Sequence, residues 1–187
     1  NQVKRDLAYG PHPRQVLDVY RPARAEGLPV VLFVHGGAFV RGEKDSTPEI
    51  YANVCHYFAR HGHVALNVEY RLADAAPYPG GAQDIAASVA WARAHAREHG
   101  GDPARLFLVG HSAGGTHVAS YAFDPALNGD LTGVRGLMLI SARLRADVRA
   151  DNPNAHGVRA YFGADESAYD ERSPNSHAAR AAVPVQV

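Results

Sequence analysis

Short apolar runs alternate along the chain with longer stretches whose apolar residues recur every three or four positions. Residues 30–35 form a continuous apolar run that ends in Gly36-Gly37, the pattern of a strand buried on both faces. Residues 15–20, 64–68, 105–109 and 136–140 read as further strands, and residues 183–187 open one more. Helical spacing runs from 48 to 60 through Ile50, Val54 and Phe58, and from 82 to 99 through Ile85, Val89 and Ala92, with Gly100-Gly101 as the stop. A third helix is predicted over 113–122. Strands alternating with helices predict an α/β fold: a mainly parallel sheet, helices on both faces, right-handed crossovers. No repeat, linker or low-complexity tract divides residues 1–187, so one domain is expected. Residues 142–180 differ, being rich in Arg, Asp, Asn and Ala with a helical piece over 156–162. They read as loops and small helices over one end of the sheet, either a substrate-shaping cap or a solvated connection.

Composition narrows the function classes. The chain has 187 residues, 46% of them hydrophobic, and 19 basic against 19 acidic residues leave no formal net charge. A binder of nucleic acid held by bulk electrostatics and a polybasic membrane-surface protein are both disfavoured. Cys55, the single cysteine, excludes an internal disulfide and a cysteine zinc cluster, and reads as a small residue on an amphipathic helix. The longest apolar run, residues 30–34, is far too short to span a bilayer, and the first ten residues lack the apolar stretch of a secretory signal. A cytoplasmic location is expected on that basis. The chain opens on Asn1, which reads as a processed or engineered start. Eleven histidines are scattered without a His-Glu-x-x-His pair, so no metal is indicated.

Candidate chemistry concentrates in residues 106–115, Leu-Phe-Leu-Val-Gly-His-Ser-Ala-Gly-Gly. Here Gly-x-Ser-x-Gly follows an apolar strand and precedes a helical pattern, the context a nucleophile elbow requires. A serine at the apex of so tight a turn has strained backbone angles, and Gly110 and Gly114 remove side chains that would clash. The Ser112 hydroxyl then projects from the sheet, and the Ala113 N–H is free for a developing oxyanion. A phosphate-cradling loop is disfavoured, since Gly-Lys-Ser/Thr and Gly-x-Gly-x-x-Gly are both lacking. A second signal is His35-Gly36-Gly37-Ala38-Phe39 after the strand at 30–34. Its glycines let a loop approach a reacting carbonyl, which makes Gly36 and Gly37 candidate oxyanion donors beside Ala113. His35 is expected to orient that loop by hydrogen bonding.

Together these motifs resemble a known family. His-Gly-Gly at 35–37, Glu69-Tyr70-Arg71-Leu72 with Pro77 and Pro79, Asp84, Asp102-Pro103-x-Arg105 and Gly-His-Ser-Ala-Gly-Gly at 110–115 occur in order. Leu17-Asp18-Val19-Tyr20-Arg21-Pro22 precedes them. The chain is similar to α/β-hydrolase carboxylesterases of the hormone-sensitive-lipase-like group over residues 15–187. Asp74-Ala75 stands where that group usually has Pro-Glu, and Ala38 where many members have Gly. The resemblance implies a serine hydrolase of short or medium acyl esters, with Ser112 as nucleophile and Gly36, Gly37 and Ala113 as the oxyanion hole. Asp84, Arg105 and the Glu69-Tyr70-Arg71 group become scaffold residues. The partner implied is a small-molecule ester, with no cofactor, nucleic acid or membrane. An amide such as an arylformamide is the close variant.

In that family the catalytic Asp follows the next-to-last strand and the catalytic His follows the last. Here residues 183–187 look like the start of the strand before that Asp, so acid, base and final strand are expected beyond residue 187. Inside the chain His111 would leave the elbow in another direction, His117 lies five positions past the serine, and His156 and His177 belong to the variable segment. Asp147, Asp165, Glu166 and Asp170 read as solvent-facing or cap carboxylates, with Asp147 the nearest to an acid. An incomplete sheet should expose an apolar face and an unpaired edge. Two other readings stand beside the esterase: a ligand-binding hydrolase-fold protein without a base, and a homo-oligomer in which a second copy supplies the missing strands.

Overall fold

The computed structural model describes residues 1–47, 49–127 and 129–187. Among the described residues seven strands form one sheet: β1 (Gln2–Ala8), β2 (Val16–Arg21), β3 (Leu28–Val34), β4 (Val64–Val68), β5 (Gly101–His111), β6 (Val134–Ile140) and β7 (Val185–Gln186). Their spatial order is β1-β2-β4-β3-β5-β6-β7. The first two pairings are antiparallel and the rest parallel. The helices are α1 (Ala52–Arg60), α2 (Gly80–His95), α3 (Ala113–Phe123), α4 (Ala155–Phe162) and α5 (Tyr169–Arg172).

Alternation along the central strands sorts side chains onto two faces. Val30, Leu32 and Val34 of β3 join Leu106 and Leu108 of β5 under α2 and α3, with Ile85, Val89 and Val118 closing that core. Val31 and Phe33 join Val109, Ala65 and Tyr20 under α1. From β3 the chain turns through α1 to one side, and from β5 through α3 to the other. The carboxyl ends of these adjacent strands are therefore a topological switch point, where open α/β sheets leave a crevice. Their register sets Val34 beside Gly110, so residues 35–37 and 111–113 leave the sheet side by side.

Some elements differ from the sequence expectation. Strand β1 was not predicted, because its Lys4, Arg5 and Asp6 mask the alternation of an edge strand. The expected start of the first helix, Pro48, lies outside the described residues; the helix begins at Ala52, and Ile50 is exposed. Its buried stripe is Ala52, Cys55 and Ala59, small residues that let α1 approach the sheet closely. Burial pushes the Cys55 thiol well above its ordinary range. The second helix ends at His95 and continues as one 3-10 turn to His99, closed by Gly100 at φ 81°. Among the described residues no helix is long and apolar enough to cross a membrane.

Candidate active site

Ser112 stands between β5 and α3 with φ 52° and ψ −119°, an angle an L-residue adopts only under constraint. Its N–H donates to Ile140 O at 2.8 Å, tying the turn to β6, and its hydroxyl makes no capping bond to α3. The two flanking glycines are needed for close approach. A Cβ on Gly110 would lie 2.6 Å from Gly115 N, and one on Gly114 would strike the carbonyl oxygens of Val34 and His35. The local fold is thus a tight strand-to-helix elbow with Ser112 at its apex, the backbone form expected from the sequence.

The glycine loop lies against this turn. A Cβ on Gly36 would sit 3.1 Å from Ser112 Cβ and 2.8 Å from His111 Nδ1. Gly37 has φ 144°, and Ala38 and Phe39 follow at 50° and 71°. Among the described residues six non-glycine positions have positive φ, and four of them, Ala38, Phe39, Tyr51 and Ser112, belong to this site; Ser141 directly follows β6. Strain of this kind persists only where surrounding contacts over-determine it.

Backbone N–H groups can be followed one by one. Gly36 N–H donates to Tyr51 Oη at 3.2 Å, so it is engaged in this arrangement. Among the described residues no acceptor meets Gly37 N–H. Ala113 N–H opens α3, where first-turn donors lack intrahelical partners and the helix dipole is positive.

Behind the loop is a buried network. His35 is fully buried, its Nδ1 2.7 Å from Gly36 O and its Nε2 2.8 Å from Glu69 Oε1. Both ring nitrogens are thereby engaged, one by the loop backbone and one by a carboxylate. Glu69 also accepts from Arg14 and, at 2.8 Å, from Lys44 N–H. Burial raises the Glu69 carboxyl, but His35, Lys44 N–H and Arg14 outweigh it and leave it below its ordinary value. Asp84 binds Arg71 and Gln15, and Arg105 binds Asp102 at 3.0 Å. These residues hold loops, as expected of a scaffold.

Segment 142–180 closes over the same end. Thr116 Oγ1 donates to Arg143 O at 2.7 Å. Helix α4 packs on the glycine loop through Gly157 and Ala38, and Phe39 stacks on Tyr161 with centroids 4.9 Å apart. Phe39, Ala113, Ala146, Val158, Tyr161 and Phe162 share one apolar cluster. That contact was invisible in the sequence, since its partners are far apart in the chain and no local motif marks them.

The other histidines weighed from the sequence, His111, His117, His156 and His177, each have a defined place. His111 Nδ1 meets Tyr51 Oη at 3.2 Å. His117 is enclosed by Phe39, Tyr70 and Tyr161. Burial, helped by His35, pushes its pKa down to about 3, so the ring is neutral near pH 7. His156 is exposed on α4, and His177 bonds Glu171 O at 2.7 Å. Asp147 pairs with Arg143 at 2.8 Å, Glu166 with Arg159 at 3.6 Å, and Asp170 with Arg145 at 3.5 Å; Asp165 takes Ser167 N–H and Oγ. Among the described residues no group of three or more His, Cys, Asp or Glu is arranged to hold a metal ion.

Known proteins resemble this chain in sequence and in fold. The chain is 37% identical over 121 residues to esterase LipC of Mycobacterium tuberculosis, covering 64% of this chain and 29% of LipC. It is 39% identical over 95 residues to carboxylesterase NlhH of the same organism, covering 50% of this chain and 28% of NlhH. The chain therefore spans under a third of the length of these curated relatives. Esterase B of Lactobacillus rhamnosis superposes with a TM-score of 0.79 at 24% identity, over 98% of this chain and 63% of that one. That likeness establishes an α/β-hydrolase fold. The BD-FAE family model matches residues 17–131, more than half the chain and a span that includes both the glycine loop and the elbow; the chain belongs to the BD-FAE family.

Proposed function

We propose that this chain carries the nucleophile and oxyanion hole of a serine carboxylesterase acting on short or medium acyl esters. One observation carries the reading: the positive-φ Ser112 stands against the glycine loop, with unclaimed N–H groups at Gly37 and Ala113. Ser112 Oγ attacks the acyl carbon, the carbonyl oxygen takes the negative charge, and the two N–H groups stabilise it where it develops. Collapse expels the alcohol and leaves an acyl-enzyme, which water hydrolyses. Gly36, held by Tyr51, supports the loop and joins the donors only on release of that bond.

The base that takes the serine proton and the carboxylate that orients it belong beyond residue 187. What supports this is the engagement of the local candidates: His35 with Glu69, His111 with Tyr51, His177 with Glu171 O, and His117 inside an aromatic box. Segment 142–180 acts as a cap that shapes the acyl side, a reading supported by its packing on Phe39 and Ala113. The small-molecule partner is the ester; the resemblance of the relatives' names to one activity supports the class and not a particular alcohol.

The test uses the natural polypeptide, a fluorophosphonate probe, and p-nitrophenyl acetate and butyrate. Labelling should map to the peptide containing Ser112, and Ser112→Ala should abolish it and lower kcat by about 10⁴-fold or more. Undiminished turnover in Ser112→Ala removes the proposal.

A further inference from the structure

We propose that Tyr51 is a positioning residue: its hydroxyl locks the His35–Gly36 peptide so that Gly37 N–H is the loop donor offered to the acyl oxygen. The inference rests on the reading of Ser112 as nucleophile and goes beyond it, since no motif in the chain marks Tyr51.

Two successive peptide planes determine where the loop's donors point. In the His35–Gly36 peptide, Gly36 N–H donates to Tyr51 Oη at 3.2 Å, while Tyr70 Oη donates to His35 O at 3.1 Å. One plane is thus gripped at both ends by phenols from different elements. In the Gly36–Gly37 peptide, the carbonyl faces His35 Nδ1 at 2.7 Å. In a trans peptide the N–H points opposite to the carbonyl, so Gly37 N–H faces away from His35. Glycines rotate freely, so without these clamps either plane could flip and present a carbonyl to the developing oxyanion.

Tyr51 also reaches the other side of the site. The same hydroxyl that accepts from Gly36 N–H also meets His111 Nδ1, 3.2 Å away. One oxygen therefore links the glycine loop to the residue before Ser112. The ring is seated beside Phe33, with centroids 5.6 Å apart, and beside His111 and His35 at 5.8 Å each. Its backbone supplies an independent sign. Tyr51 precedes α1 at φ 65° and ψ −53°, where glycine is the easy choice and a bulky aromatic an outlier. A tyrosine retained in that conformation is held by what its side chain does, and the two hydrogen bonds across the site are what it does.

The experiment compares Tyr51→Phe, which keeps the ring and removes the oxygen, with Ser112→Ala and the wild type, all as the natural polypeptide. With p-nitrophenyl butyrate, Tyr51→Phe should lose about 10- to 100-fold in kcat with KM within about twofold, because misalignment is felt in the transition state. A kcat within twofold of wild type, or a raised KM with unchanged kcat, overturns the inference. The second readout needs no turnover: amide exchange by NMR in the wild type should show Gly36 N–H protected and Gly37 N–H unprotected. Equal protection of the two overturns the inference, even where Tyr51→Phe fails to fold. If Ser112→Ala keeps its activity, the esterase reading has failed; if only Tyr51→Phe is silent, the esterase reading stands and the positioning role is lost.

Discussion

The two faces of the sheet carry similar residues and meet different fates. Under α2 and α3, Leu137 and Leu139 of β6 join the large core. One position along the same strand, Met138 and Ile140 point to the α1 face and remain 40% and 41% exposed. Helix α1 covers β2, β4 and part of β3, and beyond it an apolar trough of about 360 Å³ opens between Phe58, Phe107, Met138 and Val185. The exposed apolar face expected from the sequence is present. The difference shows that coverage by neighbouring elements, and not the apolar character of a strand, sets what a side chain contributes to stability.

Three perturbations press on that contrast. The largest effect belongs to the covered face: Leu108 is fully buried beneath it, and Leu108→Ala should destabilise by about 2–5 kcal/mol in urea unfolding. A loss below about 1 kcal/mol would mean that this core is loose and the contrast false. Next is acid. His117, on α3, has its pKa pushed down to about 3 by burial, against about 6.5 in an unfolded chain. Between those values the unfolded state holds the extra proton, so stability is complete above about pH 6.5 and falls on acidification by up to about 1.4 kcal/mol per pH unit. His117→Leu should flatten that slope in urea midpoints measured from pH 7 to 4. Smallest is the open face, where Met138→Ser should change stability by no more than about 0.5 kcal/mol; a loss like that of Leu108→Ala would show the trough to be closed in solution.

Sequence and structure agree where the information is local. The run into Gly36-Gly37 and the Gly-His-Ser-Ala-Gly-Gly turn are contiguous signals, and both form the expected strand ends. The first helix is different: Val54 and Phe58 carry the visible period and pack at the margin of the core, while the fully buried stripe is Ala52, Cys55 and Ala59, because contact distance favours small residues. Tyr51 was not legible at all. It lies 15 positions from Gly36 and 60 from His111, and only tertiary proximity reveals the bridge. The pairing of His35 with Glu69, 34 positions apart, was hidden in the same way, although an orienting role for His35 was readable from its place before two glycines.

The pairing of Val34 with Gly110 has a wider consequence. The span between the Ser112 turn and the glycine loop is inherited from a hydrogen-bond ladder, in which strands advance about 3.3 Å per residue. Sliding β3 by one rung would move the glycine loop by that amount and turn Val31 and Phe33 over to the wrong layer. Geometry at the rim and hydrophobic sorting in the interior are therefore one constraint: mutations can reshape the loops, but the distance between the Ser112 turn and the glycine loop is ruled by the spacing of the sheet.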